Sequence, residues 1–386
     1  MTGNAPIPGT ASSYDILSSL TSASLPGGRA FSIATPGNPK LSWESTATFN
    51  VGMDFALFNN RLSGTIDYYR KTTEDLIGQL GVNSLSGYAS IVGNFGNLRN
   101  NGIEASISST NINTRDFRWT TQLNIAYNKN KITELKLQAP VTTGAQMVSQ
   151  VYFPGYSAFA IFAYRYAGLD AMGDPMIHQA DGSATKARNV SVPEDISYMG
   201  TSQPPVSGGL SNTFTYKGFS LGFNAIFNFG NKMRRDVGNY FTGRLIGTNA
   251  LALSAGRYTS AINLNQGNVN AIFNERWKQT GDENVTNVPS YVSSTSLSTS
   301  RRDINYFING DLNVLDASYI KMRDITLSYA LPQSIVKTIN AGGVTFRMQV
   351  SNLMLWKANK YDVDPEFGGA IRNMQGIITA GAHVSF

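Results

Sequence analysis

The chain has 386 residues, no cysteine and two histidines, His178 and His383, far apart in sequence. It therefore has no disulfide framework, thiol nucleophile or thiolate metal site, and histidine-based catalysis is a poor reading. Net charge is +6 with only 15% charged residues, and the basic ones are scattered, Arg234-Arg235 and Arg301-Arg302 coming nearest to clusters. A nucleic-acid binder concentrates such residues on one element, so they read as solvated loop charge and nucleic acid is not an expected partner.

Residues 1–45 read as a loop ahead of the first strand, and 46–386 as one strand-rich unit. The start, MTGNAPIPGTASSYDILSSL, lacks a basic segment followed by an apolar core, so it is not a secretory signal. No apolar run approaches the ~18 residues of a spanning helix; the longest is Ala158 to Tyr164.

Residues 49–77 alternate around a polar turn. Phe49, Val51, Met53, Phe55 and Leu57 share one face, and Asn50, Gly52, Asp54 and Ala56 the other. After Asn59-Asn60, Leu62, Gly64, Ile66 and Tyr68 alternate with Ser63, Thr65, Asp67 and Tyr69. Side chains point to opposite sides of a strand in turn, so this is a half-buried antiparallel pair. Asn-Asn tolerates the left-handed backbone of a tight hairpin. Alternation leaves the apolar partner open: the second sheet of a soluble sandwich, or lipid.

The pattern recurs at 103–108, 117–127, 210–216, 219–229, 324–329, 346–350 and 378–386, with Lys217-Gly218 as another tight turn. Many of these strands run to about ten residues, longer than usual and close to what a membrane strand needs. Connections near 59–61, 110–116, 217–218 and 331–343 are short, whereas 76–99, 129–206, 230–317 and 354–375 are long and polar. Strict alternation of short and long is how outer-membrane barrels sort periplasmic turns from outer loops, and a Greek-key sandwich has no reason to do so. By the same parity, Phe159 to Leu169 is expected inside an outer loop or paired with a segment outside this chain. The fold class is all-β: an antiparallel transmembrane β-barrel of which this chain holds about nine or ten strands. Lipid cannot satisfy an exposed sheet edge, and the strand near Ser45 to Phe58 has no upstream neighbour, so its partner is expected before Met1.

SWESTATFNVGMDFALFNNRLSGTIDYYRKTTEDLI (42–77), carrying Trp43, Glu44, Asp67, Tyr68, Tyr69 and Asp75, resembles a hallmark of SusC/RagA-type TonB-dependent outer-membrane transporters. So do GNFGNLRNNGIEASI (93–107), with Asn100, Gly102 and Glu104, and FRWTTQLNIAYNKNKITEL (117–135). YRYAGL (164–169), LDASYIKMRDITLSYALP (315–332) and SNLMLWKANKYDVDPEFGG (351–369), with Asp364, Pro365 and Glu366, continue the match in order. Ala358 and Asn359 depart from the usual Trp-Thr-Lys-Tyr region, and Lys321-Met322 stand where Arg-Leu is commoner.

The resemblance implies a 22-stranded barrel in a Bacteroidetes-like outer membrane, holding an N-terminal plug. The plug and the TonB-binding segment are absent here. It implies a SusD-like surface lipoprotein as partner, the TonB complex acting through the plug, surrounding outer-membrane lipids, and glycan or peptide cargo. No cofactor and no enzymatic activity are implied. The terminal Phe386 is the expected mark for the barrel assembly machinery. The runner-up reading is a soluble secreted β-rich carbohydrate-binding module, and a weaker one a hydrolase using Asp364 and Glu366.

Candidate site residues follow from the faces. Asp67, Thr120, Gln122, Asn124, Asn224, Thr326 and Gln349 should line the lumen. Among the aromatics Tyr152, Phe153, Tyr156, Tyr240, Phe241, Trp277 and Trp356, girdle or loop packing is the safer reading, with Trp277 and Trp356 kept as cargo candidates. Asp170, Asp174 and Asp181 offer oxygen ligands for calcium but miss the EF-hand spacing, so no metal is expected. Two adjacent carboxylates at 364 and 366 do not by themselves flank a bond as acid-base catalysis requires.

Overall fold

Phe58, Asn59 and Asn60 take positive φ, 56°, 56° and 64°, the left-handed backbone that the tight turn needs. In the computed structural model two long strands flank that turn, with Leu57 opposite Leu62 and Ser45 opposite Glu74. The structure describes residues 2–5, 16–25, 28–81, 85, 87–88, 90–136, 141–149, 152–237, 241, 252–254, 257–259, 271–361, 363–366 and 375–386.

The wall is a 10-stranded antiparallel sheet whose spatial order follows the chain. Its strands are β1 (Thr2–Ala5), β2 (Glu44–Leu57), β3 (Leu62–Gly81), β4 (Ser90–Asn113), β5 (Phe117–Leu135), β6 (Val206–Tyr216), β7 (Phe219–Phe229), β8 (Tyr319–Ala330), β9 (Gly343–Lys357) and β10 (Ile377–Ser385). The order is linear, with β1 and β10 at its edges. The nine strands β2 to β10 are those the alternation predicts.

Two expectations need correction. β2 does have an upstream neighbour: Thr2 to Ala5 pair with Ala47 to Glu44. The link placed at 76–99 is mostly strand, because β3 and β4 stay paired from Leu62↔Ser109 up to Gly81↔Ser90, through two irregularities near Leu76. Polar side chains there hid the ladder, since backbone pairing needs no apolar face. The segment at 159–169 does lie in an outer loop. Residues 160–164 pair with 196–201, and 166–169 with 175–177, away from the wall.

Register fixes two faces. Gly52, Asp67, Glu104, Ala126 and Ser207 lie side by side in one row across β2 to β6. Met53, Ile66, Ala105 and Ile125 form the next row, on the opposite face. The apolar face is uncovered: Met53 is 59% exposed, Phe346 49% and Ile378 69%. Aromatic belts bound this face. Near the short turns, Trp119 stacks on Phe214 at 5.4 Å and Phe219 on Tyr329 at 4.2 Å. At the other end stand Tyr68, Tyr127, Phe229 and Trp356. Phe117 and Tyr127 mark the two levels on β5. Ten residues at ~3.4 Å, tilted by about 40°, span roughly 26 Å, close to the apolar band of a membrane barrel.

The buried core lies elsewhere, in the loops. Val237, Phe241, Ile272, Val288 and Phe307 form one cluster, and Tyr164, Ile177 and Tyr306 another. These draw on described residues of both long connections, which pack against each other above the wall. Tyr306 Oη donates to Ala187 O at 2.6 Å, Arg234 to Phe162 O at 2.8 Å, and Arg188 to Thr299 O at 2.9 Å.

Candidate functional site

On the polar face the predicted lumen residues come together in part. Asp67 and Asn124 border one recess of 290 Å³ with Thr65, Glu104, Ser106 and Ser207. Ser106 donates to Asn124 Oδ1 at 2.7 Å. Asp67 and Glu104 are direct cross-strand partners, so two carboxylates share one patch of wall. Like charges in that position repel, so this patch of wall is rich in hydrogen-bond acceptors. Gly52 makes room for Asp67: a Cβ there would sit 2.3 Å from Asp67 Oδ1.

Gln122 and Asn224 lie farther toward the short turns. Gln122 is opposite Ser211, and Ser211 donates to Asn224 Oδ1 at 2.5 Å. Asn224 Nδ2 in turn donates to both Asp324 oxygens, at 3.0 and 2.9 Å. Thr120, Thr326 and Gln349 occupy the same face, with Thr326 opposite Gln349. Asp324, which sequence reading did not single out as a site, becomes an anchor only once β7 and β8 are paired.

The two tryptophan candidates sit elsewhere. Trp277 is in the outer loops, where its indole N–H donates to Glu283 at 2.9 Å and its ring lies against Gly173. A Cβ on Gly173 would come within 2.5 Å of that ring. Trp356 is on the apolar face, 6.2 Å from Phe229. Among the other aromatics, Phe153 and Tyr156 pack on Phe162, Tyr152 on Phe95, and Phe241 on Phe307. Tyr240 lies outside the described residues.

Of the motif residues, Trp43 is exposed, and Glu44 accepts from the Ile77 backbone N–H at 2.7 Å. Asp75 accepts from Lys136, and its carbonyl from Asn94. Asn100 accepts from Asn130 at 2.7 Å. Tyr69 lies over Gly102, where a Cβ would sit 2.4 Å from its ring, and reaches Asn128 at 3.2 Å. Tyr68 points out with the upper belt, and Phe386 follows β10 fully exposed.

Charged groups read as solvated turn out to be clamps. Arg302 is fully buried, as is the Asp174 side chain. Asp174 accepts from Arg301 at 2.9 Å, lies 3.5 Å from Arg302, and accepts from Lys186 at 3.1 Å. Arg302 also donates to Ser290 and to Phe241 O, both at 3.0 Å. Burial pulls its pKa down to about 10, and the Asp174 charge opposes that fall. Asp170 is held below the usual carboxylate range: burial pushes it up, but Lys186 and two backbone N–H groups outweigh this. The carboxylates considered for calcium are thus occupied by basic side chains, while Asp181 binds Ser183.

Asp364 and Glu366 form the second clamp. Lys321, at 1% side-chain exposure, lies 2.6 Å from Glu366 and 3.4 Å from Asp364. Arg323 also bonds Glu366. Burial raises the Glu366 pKa, but these cations bring it below its ordinary value. A carboxylate kept ionised and capped by two cations anchors a loop; it is not poised to donate a proton.

Comparisons with known proteins agree with this geometry. Residues 4–353 match the family model described as TonB dependent receptor-like, beta-barrel. The TonB-dependent receptor P39 of Formosa agariphila is 27% identical over 377 residues, covering 86% of this chain and 33% of that protein. The TonB-dependent receptor SusC of Bacteroides thetaiotaomicron is 26% identical over 353 residues, covering 86% and 31%. A solved structure of the RagAB peptide transporter superposes with a TM-score of 0.74 at 25% identity, covering 100% of this chain and 40% of that one. The chain thus spans about a third of the length of the curated relatives it matches. With its exposed apolar band, polar inner face and folded outer loops, the chain belongs to the TonB-dependent receptor β-barrel family, among receptors of the SusC type.

Proposed function

We propose that this chain forms part of the wall and outer loops of a TonB-dependent importer in the outer membrane, carrying oligosaccharides or similar nutrients. The observation that carries this is the inversion of burial. The wall's large apolar side chains are exposed along one face, while the buried core sits in the loops. A soluble sheet protein would bury that face, and an exposed apolar patch of this extent marks a membrane or a partner. A soluble carbohydrate-binding module has no use for it.

Passage of cargo past the Asp67–Glu104 recess needs no covalent chemistry. The polar inner wall would meet the plug or the cargo, and the folded outer loops offer the surface for a SusD-like lipoprotein. Named relatives span a SusC receptor and a peptide transporter, so glycans and peptides are the cargo classes to test. Energy would come through the plug from the TonB complex, and the barrel assembly machinery would read the strand ending at Phe386.

The test is fractionation followed by uptake. The protein should partition with outer membranes, require detergent, and show a heat-modifiable gel band. Uptake of a labelled oligosaccharide or peptide should fall when Asp67 and Glu104 are changed together to Asn and Gln. Clean solubility without detergent would end this reading.

A further inference from the structure

Beyond the upper aromatic belt the exterior face turns from apolar to cationic. On that face Arg70 follows Tyr68 along β3, Lys129 and Lys131 follow Tyr127 along β5, and Arg99 lies between them on β4. Arg99 and Lys131 are direct register partners. Arg70 is diagonal to Arg99, which pairs with Thr72. Like charges set opposite each other on one face destabilise a sheet, so the arrangement calls for an anion.

No described residue supplies one. None of the four cations has a side-chain hydrogen bond or ion pair with another described residue. The carboxylates on this face, Glu74 and Glu134, stand farther from the belt, and Glu134 already accepts from Asn97 at 2.8 Å. Beside the lysines runs a groove of 380 Å³, bordered by Tyr127, Tyr156, Tyr198 and Gln203. Cationic heads above aromatic rings, above an apolar wall, match a molecule that is anionic at one end and apolar at the other.

We propose that Arg70, Arg99, Lys129 and Lys131 bind the phosphorylated headgroup of an outer-leaflet lipid, whose acyl chains continue down over Tyr68, Ile103 and Tyr127. This rests on the outer-membrane placement proposed above. The level of the cluster selects the occupant. Arg70 and Lys129 sit one residue pair beyond the belt and Arg99 and Lys131 two pairs beyond it, where headgroups lie, and basic residues at that depth attract anionic lipid. A soluble protein partner would not need the cluster to continue into an apolar face.

The test uses the protein extracted from outer membranes in detergent. Binding of bis-phosphorylated lipid A, its dephosphorylated form and inorganic phosphate is compared by native mass spectrometry. The variant Arg70→Gln/Arg99→Gln/Lys129→Gln/Lys131→Gln should bind the phosphorylated lipid at least roughly tenfold more weakly. The charge-conserving Lys129→Arg/Lys131→Arg should keep wild-type affinity. The dephosphorylated lipid should bind the wild type as weakly as the phosphorylated form binds the Gln variant, and millimolar phosphate should not displace the lipid.

Equal affinity of wild type and Gln variant overturns the proposal. So does equal binding of the dephosphorylated lipid, full displacement by free phosphate, or a variant that changes only the oligomeric state, which would assign the patch to a second copy. Heat-modifiability separates the two layers. If both proteins show it and bind lipid equally, only the lipid site falls; if the wild type lacks it, the barrel reading falls and the lipid site with it.

Discussion

Lys321 on β8 and Glu366 in the last outer connection meet at 2.6 Å, with the lysine side chain all but sealed from solvent. The contact ties Asp364 and Glu366 down onto the wall from within. Arg323 grips the same carboxylate, and Asp364 stands at 3.4 Å from the same lysine. The Asp364 side chain also accepts from the Glu366 backbone N–H at 3.0 Å, which fixes the turn.

Lys321→Met should therefore free the final loop without unfolding the barrel. The substitution leaves Glu366 to Arg323 alone and takes from Asp364 its lysine partner, so the cost should stay below the roughly 3–5 kcal/mol of a fully unpaired buried charge and be spent on local opening. Limited proteolysis should cut near residues 358–376 in the variant and not in wild type. Resistance equal to wild type would refute the clamp.

Acid should open the same loop. The folded-state pKa of Glu366 lies below its ordinary value near 4.5. Its contribution is therefore complete above that value and is lost as pH falls through the folded pKa. Asp170, also depressed, acts with the same sign on the other clamp. Proteolytic nicking of the outer loops by an acid-active protease should rise as pH falls through the depressed pKa values of these carboxylates, while the heat-modifiable barrel band persists.

Asp174→Asn should loosen the two packed outer loops. It leaves Arg301 and Arg302 facing each other without their common carboxylate, at a cost of about 3–5 kcal/mol. Hydrogen exchange in 160–178 and 288–315 should speed up, whereas the exposed control Asp181→Asn should leave it unchanged. Equal protection in both variants would show that the apolar clusters alone hold the loops.

The two faces of the wall should respond oppositely to the same charge. Met53→Arg puts a cation on the exposed apolar face and should destabilise insertion by roughly 2–4 kcal/mol. Ser106→Arg, on the polar face, should be nearly neutral and should draw on the Asp67–Glu104 patch. Folding yields into detergent micelles would measure both, and a matched loss would mean the faces are misassigned.

Gly102→Ala should displace the Tyr69 ring, because the added Cβ lies 2.4 Å from it and 2.6 Å from the Tyr127 carbonyl oxygen. The Tyr69–Asn128 hydrogen bond would be lost with it. A lower unfolding temperature, partly recovered in Gly102→Ala/Tyr69→Ser, is the expected result; full wild-type stability of the single variant would exclude the packing argument.

The sequence by itself determined the strands β2 to β10, their faces and the short turns. Strand periodicity is local, and Asn59-Asn60 and Lys217-Gly218 announce turns through their own backbone preferences; Lys217 indeed takes φ 50°. It also placed Asp67 and Asn124 on one face. Only the tertiary structure decided what those residues meet. Glu104 becomes Asp67's neighbour through the register of a second hairpin, and Asp324 becomes Asn224's through a third pairing. Arg302 and Lys321 look like ordinary surface charges in the sequence, because a charge carries no local sign of burial. Their partners lie 128 and 45 residues away, and only the packing of loops on loops and loops on wall brings them together.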